Sequence, residues 1–446
     1  MTGVGSQQDN LLELASSRTV RFAVVGNVDS GKSTLIGSLS HSTLDDGNGY
    51  TRKLISKCKH ELETGRTSTI STHMVGFDKD GESMPIPRSH AHYSEAFLGG
   101  RASKIASLMD LCGHEKYMRT TVSGLSQGMI DYGLVLVSGS QSPTCMTIYH
   151  MNLCFLHRVP VIVVVTKVDS TPPDVLKNTM KRVKDIVRDA GKMSYEVRTH
   201  NDIDLVHNKL SSLVPVIKLS CVTGENLKLI KHLMYVLPRR RRHETKKDRP
   251  FEYLVEEIFN VQGVGTILSG FVSAGSYTKG GTLYLGPTKS GEYIKTTVKS
   301  IHVLQTLVDN VYAGHAACFA VNMTRKERKL LVRHRMVALD KPIAPTKTFV
   351  AEIVLTKGTP VTMTKGRFQI QLHILHQRPS CRLVDIETAK GSDVFNEDAE
   401  FVLRPGQTAR ATFQLVHGAH YLRPGMRVTL RDGGVRGVGW ILETSS

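Results

Sequence analysis

In the first half of the chain, short unbroken apolar runs alternate with segments whose apolar residues recur every third or fourth position. Residues 20–26 (VRFAVVG) predict a buried strand ending in a glycine turn. The segment after it, with Leu35, Ile36 and Leu39 on one face, predicts a helix. Further runs at 104–112, 132–138, 159–165 and 214–219 suit parallel strands covered on both faces, because their Val, Ile and Leu content is continuous rather than alternating. Between the last two, PPDVLKNTMKRVKDIVRDAG sets Leu176, Met180, Val183 and Val187 at helical spacing, with prolines at its start and Gly191 at its end. ENLKLIKHLMYVLP repeats that logic with Leu227, Ile230 and Leu237, stopped by Pro238. The alternation predicts a doubly wound α/β domain with a mostly parallel sheet over residues 18–238, behind a flexible N-terminal tail at 1–17.

The texture then changes. RRRRHETKKDR at 239–249 holds no apolar residue and predicts an exposed basic linker. Beyond it come short β-rich runs broken by Gly, Pro and Asn, such as EYLVEEIFNV, GTILSGFVSAG, ATFQLVHGA and GMRVTL, with no convincing amphipathic helix. Two closed antiparallel β-barrels fit best, at 250–341 and 342–446, divided near KPIAPTK.

Charge adds a partner class. Of the net +18, residues 1–238 carry +5, the 239–249 segment another +5 and residues 250–446 the remaining +8, so the excess sits downstream of the first domain and favours a polyanion. The seven cysteines form no CxxC pair and are odd in number, which fits reduced thiols better than zinc or disulfides. No apolar run approaches a membrane span, and MTGVGSQQDN lacks the basic and apolar regions of a signal peptide. These features predict a cytoplasmic monomer with no membrane partner.

The chemistry lies in ordered motifs. GNVDSGKST at 26–34 satisfies G-x-x-x-x-G-K-[ST] between a predicted strand and a predicted helix, the context of a phosphate-cradling P-loop. Gly26 and Gly31 let the backbone wrap phosphates, with Asn27, Val28, Asp29 and Ser30 between them and Thr34 following. Lys32 would reach the β- and γ-phosphates, and Ser33 would ligate magnesium. DLCGH at 110–114 follows a strand, so Asp110 can join the magnesium shell and Gly113 can approach the γ-phosphate closely. TKVD at 166–169 supplies Thr166, Lys167 and Asp169; the Asp169 carboxylate can accept from guanine N1 and N2, which selects GTP over ATP. SCVTGEN at 220–226 offers the Ser220, Cys221 and Val222 backbone to guanine O6. In RTSTI at 66–70, Thr69 is the choice for a second magnesium ligand and Thr67 the competitor.

Together GNVDSGKST, GRTSTI, DLCGHEKY, TKVD and VTGEN resemble the elongation factor Tu and elongation factor 1-alpha class of GTPases, and within it the branch of GTP-binding proteins 1 and 2. IFNVQGVGTILSG at 258–270 resembles the start of that class's second-domain barrel, and the resemblance runs from about residue 20 to 441. It implies three domains, magnesium-dependent GTP hydrolysis and a cycle on the ribosome. By position, it makes His114 the residue that orients the attacking water and Asp29 a link to a monovalent cation, K+ or Na+. Thr166 departs from the common Asn, and Ser68 replaces an apolar residue that screens the histidine. The long polar stretch at 78–103, with His90 and His92, reads as a solvated loop.

Three functions compete. The first is a translational GTPase carrying or inspecting aminoacyl-tRNA or another RNA at the ribosome, for which the tract RKERKLLVRHR at 325–335 adds basic surface. The second is a GTPase-switched adaptor in RNA surveillance or ribosome rescue. The third is the regulatory GTPase subunit of a sulfate-activating enzyme, disfavoured by the basic charge.

Overall fold

The computed structural model describes residues 2–56, 70–86, 94–113, 125, 129–240, 243–332, 336–355, 361–362, 369–388, 402–403, 408–432 and 435–445. Two compact units divide the chain. One is Met1–Arg242 with Leu304–Thr306; the other is His243–Val303 with Leu307–Ser446.

In the first unit, strands β1 (Thr19–Gly26), β2 (Ser71–Phe77), β3 (Ser83–Met84), β4 (Lys104–Asp110), β5 (Tyr132–Ser138), β6 (Val161–Thr166), β7 (Met193–Glu196) and β8 (Leu213–Lys218) form one sheet ordered β3-β2-β4-β1-β5-β6-β8-β7. Pairings from β4 across to β7 are parallel; β2 joins β4 antiparallel and extends one edge. Because strand side chains alternate between faces, each central strand feeds two cores. Val20, Phe22 and Val24 of β1 pack with Leu35, Ile36 and Leu39 of helix α2 (Lys32–His41), and with Ile230 and Leu233 of the helix Leu227–Val236. Ala23 and Val25 pack on the other side with Met151, Val183 and Val187, from the helices Cys145–Leu156 and Pro173–Asp189. Both faces being dry explains why β1, β5 and β6 read as unbroken apolar runs.

The second unit holds two closed antiparallel barrels. In the first, strands Thr282–Gly286, Val337–Leu339, Glu252–Val261, Gly265–Ala274, Ala316–Val321 and Ile294–Val303 pair in that order, and the last returns to the first. The other closes through Thr348–Leu355, Thr408–Leu415, Ser380–Thr388, Gln369–His373, Arg427–Asp432 and Val435–Ser445. Strand Thr348–Leu355 shows the alternation a barrel needs: Phe349, Ala351, Ile353 and Leu355 are buried between more exposed neighbours. Leu254, Val337 and Leu339 of the first barrel pack into the core of the second.

Four expectations are revised. Residues 1–17 are not a loose tail: helix α1 (Thr2–Ser16) buries Leu11, Leu12, Leu14 and Ala15, which gives the segment an apolar reason to order. The 239–249 segment is partly anchored, since the Arg240 amide donates to the Asp131 carboxylate at 3.0 Å and the Lys246 carbonyl accepts from Gly275 at 2.9 Å. The basic tract after Thr324 starts as a helix, Arg325–Leu330, set by a capping box in which Thr324 and Glu327 exchange hydrogen bonds. None of that helix's residues is buried. The polar stretch at 78–103 includes β3 and a helix, Ser94–Gly99, that buries Leu98; His90 and His92 lie outside the described residues.

Candidate nucleotide-binding site

The carboxyl ends of β1, β4 and β6 and the start of α2 meet around a cavity of about 540 Å³. This is where an open, doubly wound sheet receives a ligand, because loops on either side of the central strand diverge there. Its phosphate end is the turn between β1 and α2. Ser30 Oγ donates to the Asn27 carbonyl at 2.8 Å and closes that turn. Lys32 is buried, and its ammonium donates to the carbonyls of Gly26 at 3.2 Å and Asn27 at 2.7 Å. Burial pulls that ammonium below the usual lysine value, opposed chiefly by the Asp110 carboxylate and less by that of Asp29. An anion entering the turn would relieve this cost.

Gly113 must be glycine for reasons of space. A Cβ there would stand 2.5 Å from both the Gly26 carbonyl oxygen and Lys32 Nζ. Beside it, Ser33 Oγ donates to Asp110 Oδ2 at 2.8 Å, joining two residues 77 positions apart. A hydroxyl and a carboxylate in contact are hard oxygen donors of the kind magnesium takes, so the residues present fit that ion. Among the described residues no cluster of three His, Cys, Asp or Glu side chains could hold a metal by itself.

At the other end the cavity is walled by Lys167, Asp169, Ser170, Cys221 and Val222. Thr166 Oγ1 donates to the Ser30 carbonyl at 2.9 Å, so the residue that replaces the common Asn ties this wall to the phosphate turn. Ser220 does not line the cavity. Its hydroxyl instead accepts the amides of Val222 and Thr223, each at 3.1 Å, and shapes the loop from below. Cys221 contributes a neutral thiol, its pKa pushed up to about 12 by burial.

Of the residues expected at the site, Val28, Asp29, Gly31, Lys32, Ser33, Thr34, Gly113, Thr166, Lys167, Asp169, Cys221 and Val222 converge on one cavity. Gly26 and Asp110 stand just behind it through Lys32 and Ser33. Asn27 and Ser30 line a small space on the far side of the turn with Ser138 and Thr144. His114 and Thr69, with Thr67 and Ser68, lie outside the described residues. Six further lining residues escaped the sequence reading: Ser170 beside Asp169, and Asp45, Gly47, Asn48, Gly49 and Arg52 of one loop. The only signal for that loop was the run DDGNG at 45–49, which by itself reads as an ordinary turn.

A strand–P-loop–helix unit, an acid from the neighbouring strand and a TKVD wall are the parts of a P-loop GTP-binding domain. Residues 17–272 match the elongation factor Tu GTP binding domain family, and the chain belongs to that family. It is 33% identical over 431 residues to GTP-binding protein 1 of Xenopus laevis, covering 95% of this chain and 63% of that protein. Identity to GTP-binding protein 2 of Homo sapiens is 31% over 437 residues, covering 96% of this chain and 69% of that protein. The chain thus spans less than two thirds of the length of the Xenopus relative. Translation elongation factor SelB of Methanococcus maripaludis, bound to the GTP analogue GppNHp, superposes with a TM-score of 0.67 at 19% identity, covering 96% of this chain and 80% of that one. A bacterial selenocysteine-specific elongation factor gives 0.66 at 16% identity, covering 96% and 58%. Identities this low speak for the fold alone. No described helix is long and apolar enough to cross a membrane.

Proposed function

We propose that this GTPase works in translation, binding aminoacyl-tRNA or another RNA at the ribosome and leaving it after hydrolysing GTP to GDP. The observation that carries the reading is one cavity with a phosphate-binding turn at one end and the Asp169 wall at the other, in a domain of the elongation factor Tu family. In this reading Asp169 accepts from the guanine N1 and N2 groups, Lys167 lies along the base, and Cys221 and Val222 meet O6. Ser33 and Asp110, with Thr69, would hold magnesium, which neutralises phosphate charge when bound. Asp29 would face a monovalent cation at the phosphates. His114 directly follows Gly113, where water attacks the γ-phosphate in line, and would orient that water.

The test is single-turnover GTP hydrolysis with and without ribosomes, for the wild type and His114→Ala. Ribosomes should accelerate the wild type, and the variant should lose roughly two orders of magnitude of that stimulated rate. Nucleotide affinity should hold, because the imidazole meets water rather than GTP. A wild-type rate indifferent to ribosomes would remove the translational role and leave an adaptor GTPase.

A further inference from the structure

The wall formed by Asp45–Arg52 joins the two ends of the cavity, and its own side chains hold its shape. Asp45 Oδ1 accepts the Thr51 amide and hydroxyl, both at 2.9 Å, while Oδ2 accepts the amides of Gly47 at 3.1 Å and Gly49 at 3.3 Å. Asp46 Oδ1 accepts the amides of Asn48 at 2.8 Å and Tyr50 at 3.0 Å. The loop is pinned at both ends. The Asp45 amide donates to the Cys221 carbonyl at 2.9 Å on the base side, and on the phosphate side the Thr51 hydroxyl shares its one proton between Asp45 and the Thr34 carbonyl, 3.1 Å away.

This wiring has a chemical consequence. The amides of residues 47 to 51 are taken up by the two aspartates, so those five do not form an anion cradle. Asp45 is occupied by its own loop. Of the five loop residues that line the cavity, Arg52 alone is cationic, and it directly follows the Thr51 pin at the Thr34 end. Ser33 and Thr34 open the first turn of α2, where phosphates gather.

We propose that Arg52 is a further nucleotide-binding residue, its guanidinium pairing with the phosphate nearest the ribose, a contact shared by GTP and GDP. The inference rests on the guanine-nucleotide reading of the cavity. A guanidinium presents a planar fork that matches phosphate oxygens, and the rigid loop removes part of the ordering cost.

The experiment is titration of the full chain with fluorescent GDP and a non-hydrolysable GTP analogue across a salt series, for wild type, Arg52→Gln and Arg52→Lys. Arg52→Gln should lose about tenfold in affinity for both nucleotides, the scale of one half-exposed charged contact, and its salt dependence should flatten. Arg52→Lys should recover part of the loss. Any fall in the nucleotide-free melting midpoint should be too small to account for the lost affinity, which separates ligand contact from loop support. Undiminished GDP affinity in Arg52→Gln, or a loss matched by a lower nucleotide-free midpoint, would overturn the inference while leaving the cavity's assignment intact. A wild-type protein that binds no GDP would overturn that assignment, and the inference with it.

Discussion

Thr166 and Asp169 sit three positions apart and do different work. Thr166 is buried, and its hydroxyl bridges to the Ser30 carbonyl, so it braces two loops against each other. Asp169 lines the cavity. In the proposed reading its carboxylate would distinguish guanine, by accepting from two donors that adenine does not offer. Asp169→Asn should therefore weaken GTP binding by about 10- to 100-fold, the range for losing a hydrogen bond to a charged acceptor. It should also admit xanthine nucleotides, whose extra carbonyl pairs with the new amide. Competition of GTP and XTP for the mutant checks this, and an unchanged preference for GTP would detach Asp169 from the base. Motif spacing made this residue legible, as it did the Ser33–Asp110 contact across 77 positions. Arg52 was not legible, because its place at the cavity depends on carboxylate–amide bonds inside a loop rather than on any spacing.

Between elements, α2 approaches the Asp45–Arg52 loop closely at Gly37. A Cβ on Gly37 would stand 2.3 Å from the Thr51 carbonyl oxygen and 2.7 Å from its carbon, both backbone atoms with little freedom to yield. Two effects oppose each other in Gly37→Ala. Helix propensity favours alanine by about 0.5–1 kcal/mol. Forcing a methyl against a fixed backbone costs about 1–3 kcal/mol. The overlap should win, lowering the melting midpoint by about 2–4 °C for a unit of this size. Thermal denaturation with and without GDP is the measurement; a raised midpoint would mean the loop yields freely and is no wall. The same scale shows which elements the sequence disclosed. β1, β4, β5, β6 and β8 announced themselves because both faces are dry. The edge strand β7 did not, with a pattern of half-exposed residues in MSYE, and neither did α1, which carries Gly3 and Gly5 in its sequence. The helix at Arg325–Leu330 buries nothing and is specified by its cap alone, so no hydrophobic period could reveal it.

For the whole molecule the deciding quantities are how the second unit is braced and where its charge lies. The two barrels are tied by more than apolar packing, since Tyr421 Oη donates to Glu252 at 2.6 Å and Arg423 pairs with the same carboxylate at 2.9 Å. A braced pair of barrels presents its surface charges at fixed separations, which suits recognition of a stiff polyanion. Residues 239–446 carry +13 of the chain's +18, and the helix Arg325–Leu330 holds four of those positive charges with no residue buried. Surface charge of this kind is ordinarily spent on water, so the case for RNA has to be made by salt. Each phosphate contact releases counterions, and affinity then falls with a log–log slope of about −0.7 to −0.9 per contact. Converting Arg325, Lys326, Arg328 and Lys329 together to Gln should flatten that slope by about 3 if all four meet phosphates, while leaving GDP affinity untouched. The measurement is filter binding of aminoacylated and deacylated tRNA from low to high salt, with a GTP analogue and with GDP. A translation factor should hold RNA more tightly in one nucleotide state, because a switch acts only through differential affinity. Equal binding in both states, insensitive to salt and to the quadruple substitution, would rule out RNA delivery through this surface.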